Sequence, residues 1–408
     1  MPNGADAAAL LHDWNNAERP GDSAPAELLD DTLRDGLQNA AVRQPTPDEK
    51  AELLHLMPPL GIQAVNLGLP GSSVVAFEGA LRLCREIADR ALPLAVAVAG
   101  RTLEADMRAI VELRDRSGLP LEGHAFVGAS ALRAKVEGWD LDLVKRRTHA
   151  ALSVLTRVGV PAVFVTEDTT RSHPDALREL YAVALDAGAT RFCLCDTVGQ
   201  STPEGVRRLV GFARQFFAER NARVALDWHG HNDRGLALAN ALAALDAGAH
   251  RVHATALGVG ERVGNVPMEL VVLNLALDGR RSLDLVPVAE YCRRSAELLA
   301  WRIPPNHPLV GENAFRTATG VHASAIAKAR KQSAWAADRV YGAVPAAALG
   351  REQEICIGAM SGSANVVFWL ERHGIPVDES LVRAILERAR ATDHILSEEE
   401  ILGMVRPR

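Results

Sequence analysis

A (β/α)8 barrel followed by a helical C-terminal region is the fold this sequence predicts, and three observations carry that expectation. Eight short apolar runs alternate with helix-patterned segments over about 250 residues, the size of one closed barrel of parallel strands. Polar clusters follow at least five of these runs, and they are spread along the alternation rather than gathered at one crossing. The alternation then stops near residue 283, where the pattern becomes helical and loop-rich.

The elements follow in order. Residues 1–26 are polar and Ala/Pro-rich, and they are expected to form an N-terminal extension to a catalytic barrel over 27–282. Within the barrel, the spacing predicts strands at 28–32, 63–68, 94–99, 122–127, 161–166, 191–196, 223–228 and 251–256. Helical periodicity lies between them, for instance over 103–116 and 203–219, the latter opened by Thr202 as N-cap and Pro203 in the first turn. An open doubly wound sheet would concentrate its polar residues near one crevice, and the spread of the clusters favours closure instead. Residues 283–408 are expected to form helical subdomains with small cores of their own. They begin with a helix over 284–301, continue through a stretch broken by Pro304, Pro305 and Pro308, and end in two or three helices over 362–408.

Composition bounds the function. The 408-residue chain is 48% hydrophobic but only 4% aromatic, which suits an aliphatic core of helices and buried strands. A net charge of −6 argues against a protein built to cover a phosphate backbone. No apolar run reaches the ~18 residues of a membrane span, and the first residues lack the basic start and apolar run of a secretion signal. The five cysteines are odd in number and show no framework spacing, so reduced thiols in a cytoplasmic protein are expected.

Chemistry gathers in the clusters that follow the strands. Asp31-Thr32-Leu33-Arg34-Asp35-Gly36-Leu37-Gln38 places a carboxylate beside a cation, either a salt bridge closing the barrel or a metal ligand with a cation for a substrate oxygen. In His229-Gly230-His231-Asn232-Asp233 the two imidazoles are two residues apart, so they point the same way and can share a metal ion. Asn232 and Asp233 would either orient those rings or cap the next helix. Gly258-Val259-Gly260-Glu261-Arg262-Val263-Gly264-Asn265 lacks the ending of a nucleotide-binding P-loop and suits an anion cradle, or a loop carrying Asn265 to a metal. Glu167-Asp168-Thr169-Thr170-Arg171 and Asp196-Thr197-Val198-Gly199 would each pass as helix capping if isolated. Five such clusters on one rim are hard to explain by structure alone.

These motifs resemble a family of metal-dependent barrel enzymes that includes 2-isopropylmalate synthase, homocitrate synthase, citramalate synthase and HMG-CoA lyase. The resemblance covers residues 28–375, and its Gly-Glu-Arg-x-Gly-Asn loop is like the synthase branch; the lyase branch carries a cysteine-containing loop there. Further matches to the synthases are Asn313-Ala314-Phe315, Thr319-Gly320-Val321-His322-Ala323, Tyr341 and Ser361-Gly362. The resemblance implies a Claisen-type condensation of acetyl-CoA with a 2-oxo acid, releasing CoA. It implies Asp35, His229 and His231 as ligands of a divalent ion (Mg, Mn, Zn or Co), with Asn265 as a further ligand. Arg34 would stabilise the developing alkoxide, and Thr197 would hold the substrate carboxylate. His322, Glu167 and Tyr341 would handle protons, and Gln38 would touch substrate.

Two departures bear on the 2-oxo acid. Asn66-Leu67-Gly68-Leu69-Pro70 stands where many relatives have Glu-x-Gly-Phe-Pro, and Cys193 stands where an asparagine is common. His124, read with a small apolar lining, favours 2-oxoisovalerate and hence 2-isopropylmalate synthesis for leucine. Homocitrate synthesis, citramalate synthesis and a phosphorus-substituted pyruvate analogue are the alternatives. A carbon–carbon lyase or aldolase on the same barrel and a non-catalytic barrel are the competing classes. The resemblance also implies a homodimer with exchanged C-terminal regions, in which His322 of one chain completes the site holding Asp35 of the other.

Overall fold

Strands β1 (Glu27–Asp30), β2 (Ala64–Asn66), β3 (Ala95–Arg101), β4 (Leu121–Gly128), β5 (Ala162–Glu167), β6 (Arg191–Asp196), β7 (Ala225–Gly230) and β8 (Arg251–Ala254) pair in sequence order. β8 returns to β1 with Glu27 opposite Arg251, so the sheet closes with every neighbour parallel. This computed structural model describes residues 10–12, 15 and 26–405. The extension expected over 1–26 therefore lies almost wholly outside the described residues.

Helices α1 (Pro47–Leu56), α2 (Val74–Asp89), α3 (Glu104–Ser117), α4 (Ala131–Glu137), α5 (Leu141–Thr156), α6 (Pro174–Asp186), α7 (Pro203–Ala218), α8 (Ala237–Asp246) and α9 (Met268–Leu277) fill the crossovers. Their starts follow the local chemistry: Thr46 closes a capping box with Glu49 on α1, and Thr202 caps α7 with Pro203 in its first turn. The first strand ends at Asp30, short of the expected 32. There Asp30 Oδ1 accepts from the Thr32 amide, and the amides of Arg34, Asp35 and Gly36 all turn onto the Asp31 carbonyl. That turn carries Arg34 and Asp35 over the rim.

The chain divides into two compact units, and the barrel's unit runs over Gly21–Arg302. It thus contains α10 (Val288–Leu299), a helix beyond residue 282, whose buried Tyr291 donates its hydroxyl to Asp30 at the end of β1.

Because side chains alternate along a strand, residues two apart point into the barrel together. On β6 these are Arg191, Cys193 and Cys195; on β7, Asp227 and His229; on β8, Arg251 and His253; on β4, Glu122, His124 and Phe126. The starts of these strands form a floor of buried ion pairs. Arg251 Nη2 bridges Glu122 Oε1 and Asp227 Oδ2, both at 2.6 Å, while Arg191 Nη1 holds Asp227 Oδ1 at 2.7 Å and its Nη2 reaches Glu27 at 3.1 Å. Burial opposes the charge on Asp227, but Arg251, His253 and Arg191 outweigh it and hold the carboxyl well below the usual range. No helix among the described residues is long and apolar enough to cross a membrane.

The second unit takes in Ile303–Arg408. Helices α11 (Gly320–Gln332) and α12 (Ala334–Arg339) precede α13 (Ser363–Arg372), α14 (Glu379–Arg390) and α15 (Glu398–Val405), with a short parallel pair of β9 (Arg316–Thr317) and β10 (Glu354–Ile355). Val366, Leu370, Val382, Ile385, Leu396 and Ile401 form the core of its last three helices. Ser361-Gly362 joins the starts of α11 and α13. Ser361 Oγ donates to the Ala318 carbonyl at 2.7 Å, and a Cβ on Gly320 would meet the Gly362 amide nitrogen at 2.9 Å.

Candidate active site

The cavity at the C-terminal mouth of the barrel is lined from all eight of its strands and their loops. Arg34, Asp35 and Gln38 enter after β1, Asn66 from β2, His124 from β4, Glu167 from β5, Cys193 from β6 with Thr197 after it, and His229 and His231 from the end of β7. Ten of the thirteen residues singled out from the sequence thus meet at one cavity.

At its wall three ligand atoms converge. His229 Nε2 lies 3.2 Å from Asp35 Oδ2, His231 Nε2 lies 3.6 Å from the same oxygen, and the two nitrogens are 3.4 Å apart. Three donors held ~2.1 Å from one ion at right to tetrahedral angles stand about 3.0–3.4 Å from one another, so the triangle has the dimensions of a metal site. The chemistry agrees. Burial works against the Asp35 charge, but Arg34 and then His229 outweigh it and keep the carboxyl well below its ordinary range. His231 is pushed down to about 4 by burial and then by His229, which leaves a neutral imidazole with a free lone pair. A second trio, Asp31, His229 and His253, also clusters, but Asp31 is already held by the Arg34 fork.

Asn265 stands beside this triangle. Its backbone bridges His231, and its buried Oδ1 has no hydrogen-bond partner among the described residues, as expected of an oxygen reserved for an ion. The glycine loop makes room for it. A Cβ on Gly260 would sit 2.0 Å from Asn265 Nδ2, and Gly264, at φ +97°, would press a Cβ to 2.0 Å from the Gly258 carbonyl oxygen.

Arg34 donates from Nε to Asp31 Oδ1 at 2.9 Å and from Nη2 to Asp31 Oδ2, while Nη1 lies 3.4 Å from Asp35. The salt bridge and the substrate-facing cation are therefore one arrangement, placed at the open rim. Burial raises the Glu167 carboxyl, and the nearby Arg133 and Arg34 only partly offset it. Thr197 Oγ1 accepts from the Asp168 amide at 2.8 Å, so its own proton is available to a ligand. Asn232 and Asp233 do not orient the imidazoles: Asn232 Oδ1 caps α8 through the Ala237 amide, and Asp233 pairs with Arg262 at 2.8 Å. Asp196 is likewise structural, accepting from the amides of Gln200 and Ser201.

Sequence reasoning missed the lining residues Ala99, Phe126, Val165, Cys195 and His253, while Leu69, Glu261 and Arg262 belong to motifs it had singled out without giving these three a role. Extending the two-residue register down from the rim would have found Cys195 and His253. Cys193 and Cys195 are free thiols with their sulfurs 3.9 Å apart. His322 on α11 and Tyr341 after α12 belong to the second unit. Their exposed rings stack on each other at 3.9 Å between centroids and 23° between planes.

Comparisons with known proteins agree on this architecture. Residues 26–290 match the HMGL-like family. A homocitrate synthase from Methanopyrus kandleri is 32% identical over 90% of this chain and 88% of its own length. A 2-isopropylmalate synthase from Pyrococcus furiosus is 34% identical over 74% of this chain and 61% of its own length. The crystal structure of an HMG-CoA lyase from Brucella melitensis superposes with a TM-score of 0.56 at 19% identity, covering 68% of this chain and all of that one, which speaks for the shared fold.

Proposed function

From the premise that the chain belongs to the HMGL-like family, we propose that it condenses acetyl-CoA with a 2-oxo acid and releases CoA. The observation that carries this reading is the convergence of Asp35, His229 and His231 on one point beside the Arg34 guanidinium. A divalent ion held there, with Asn265 as a further ligand, would supply Lewis acidity and a template for the keto and carboxylate oxygens of the substrate; a carboxylate with two imidazoles accepts Mg, Mn, Zn or Co.

The chain's own groups account for the rest. Thr197 donates a hydrogen bond from its hydroxyl to the substrate carboxylate, and Gln38 lines the mouth where the thioester enters. Glu167, its carboxyl raised by burial, is a proton acceptor for the acetyl methyl group, with His322 and Tyr341 as partners in that transfer. Loss of the proton leaves an enolate whose carbon forms the new bond to the keto carbon, and the keto oxygen takes the electron pair as an alkoxide, which then takes up the proton that the acetyl methyl group gave up. Arg34, fixed by Asp31 and Asp35, meets that charge without reorganising. Water then adds to the thioester, the carbon–sulfur bond breaks and CoA leaves as its thiol. The sum is acetyl-CoA, 2-oxo acid and water in, and a 2-substituted malate, CoA and one proton out.

His322 reaches a barrel in a homodimer with exchanged C-terminal regions, each helical unit serving the partner's barrel. The exposed side chains beside it, Val321 at 70% and Met360 at 76%, are apolar surface that a second copy would cover. The test is thiol release from acetyl-CoA by the metal-loaded full chain over a panel of 2-oxo acids that includes 2-oxoisovalerate, 2-oxoglutarate, pyruvate and phosphonopyruvate. Release that requires both the metal and a 2-oxo acid is expected, and no release with any acid overturns the reading.

A further inference from the structure

Beside the apolar Leu69, Ala99, Phe126 and Val165, the cavity presents buried polar groups that a branched alkyl substrate would leave without partners. Two imidazoles lie there, His124 and His253, each 3% exposed, with ring centroids 5.7 Å apart and planes within 28°. Each is tied by one edge. His124 Nε2 donates to Glu122 Oε1 at 2.9 Å and His253 Nε2 to Asp227 Oδ2 at 3.1 Å; a carboxylate engaged by Arg251 only accepts, so the proton sits on Nε2 in both rings. The opposite nitrogen, Nδ1, makes no hydrogen bond among the described residues in either ring. Neither Nδ1 is sealed in the protein, and both residues line the cavity, so that edge opens onto the cavity. Asn66, 1% exposed, repeats the arrangement: Oδ1 accepts from the Gly68 amide at 3.1 Å, while Nδ2 has no partner among the described residues and faces the same space.

The floor beneath is already neutralised. Arg251 and Arg191 are matched by Glu122 and Asp227, so these groups fix the two rings and bring no spare charge. Three polar atoms therefore face the substrate with their hydrogen-bonding capacity unused, on residues whose other edges are fixed. An alkyl tail would strip water from all three and return nothing.

We propose that the 2-oxo acid of this site carries an oxyacid group at the far end of its side chain, a carboxyl or a phosphorus oxyacid, received by Asn66 Nδ2 and by Nδ1 of His124 and His253. This rests on the condensation reading above and deepens it by naming the substrate class. The Asn66 amide donates to one oxygen of the group. An O–H that the group retains donates to the Nδ1 lone pairs of the two rings. A site built to hydrogen-bond a substrate group rejects the analogue without it far more strongly than an apolar pocket rejects a misfit.

The experiment uses the full chain loaded with Mg, and it measures two quantities for 2-oxoglutarate, oxaloacetate, phosphonopyruvate, 2-oxoisovalerate and pyruvate. One is binding by calorimetry without acetyl-CoA; the other is kcat/KM for CoA release. At least one oxyacid-tailed substrate should exceed 2-oxoisovalerate by about 100-fold or more in both. The carboxylate and phosphonate arms decide which oxyacid is preferred. His253→Leu and Asn66→Leu should lower binding of that substrate at least about tenfold more than they lower binding of pyruvate, which has no tail, and a native circular dichroism spectrum shows that the variants fold. Binding that favours 2-oxoisovalerate, or no preference between tails, overturns the proposal. An oxyacid preference in binding without CoA release from any acid sinks the condensation reading and leaves this one standing.

Discussion

Replacing Glu122 by glutamine tests the ion-pair floor that fixes the depth of the site. Its carboxylate accepts from His124 Nε2 at 2.9 Å and meets Arg251 Nη2 at 2.6 Å, with the side chain 18% exposed. Burial alone would raise its pKa, but the hydrogen bond from His124 and the charge of Arg251 outweigh that and hold it at about 2, against an ordinary 4.5. A carboxyl depressed on folding contributes stability that is complete above its unfolded pKa and is lost as pH falls through the folded one. The difference of about 2.5 units corresponds to about 3 kcal/mol at pH 7, shrinking to about 2 kcal/mol by pH 3.5, where the unfolded chain has taken up its proton. Glu122→Gln should therefore unfold more easily in urea by that amount at pH 7, and the gap should narrow in acid. Tryptophan fluorescence, to which the fully buried Trp228 on β7 contributes, follows the unfolding. A gap that is absent at pH 7, or that stays constant down to pH 3.5, refutes the argument that this ion pair is formed in the fold and stabilises it.

Three further outcomes follow from the geometry. Gly260→Ala places a Cβ where Asn265 Nδ2 now lies, 2.0 Å away, and should weaken metal binding by roughly 10–100-fold in a calorimetric titration while the thermal unfolding midpoint moves little. Arg34→Lys keeps a cation but loses the fork on Asp31 and Asp35, so kcat should fall by about 10²–10³ with a smaller change in KM for the 2-oxo acid. His322→Ala and Asp35→Ala should each be nearly inactive alone and regain activity when mixed and allowed to exchange subunits; no recovery despite exchange shown by native mass spectrometry would place His322 in its own chain's site or outside catalysis.

Much of this was legible in the sequence because strand periodicity and rim chemistry are local signals. Each of the eight expected strands overlaps an observed one, and the expected run 191–196 coincides with β6. The His-x-His pair, Asp35 and the glycine loop declare themselves by residue type and spacing. What stayed hidden depends on neighbours distant in sequence. Nothing local says that Glu122 and Asp227 share Arg251, 129 and 24 residues on, so the polar floor and the orientation of His124 are visible only once β4, β7 and β8 close into one barrel. Asn232 had two readings because its oxygen could serve a ring or a helix amide, and only the position of the Ala237 amide decides between them.

The claim on which the account turns is that Asp35, His229 and His231 hold an ion without which condensation does not occur. The direct measurement is CoA release by chelator-treated protein during stepwise return of Mg, Mn, Zn or Co, with bound metal counted in the same samples, for the native chain and for His229→Ala. The native chain should bind about one ion per site, with release rising in proportion to occupancy, and His229→Ala should show neither. Full release by the metal-free native chain, or native metal content and activity in His229→Ala, would contradict it.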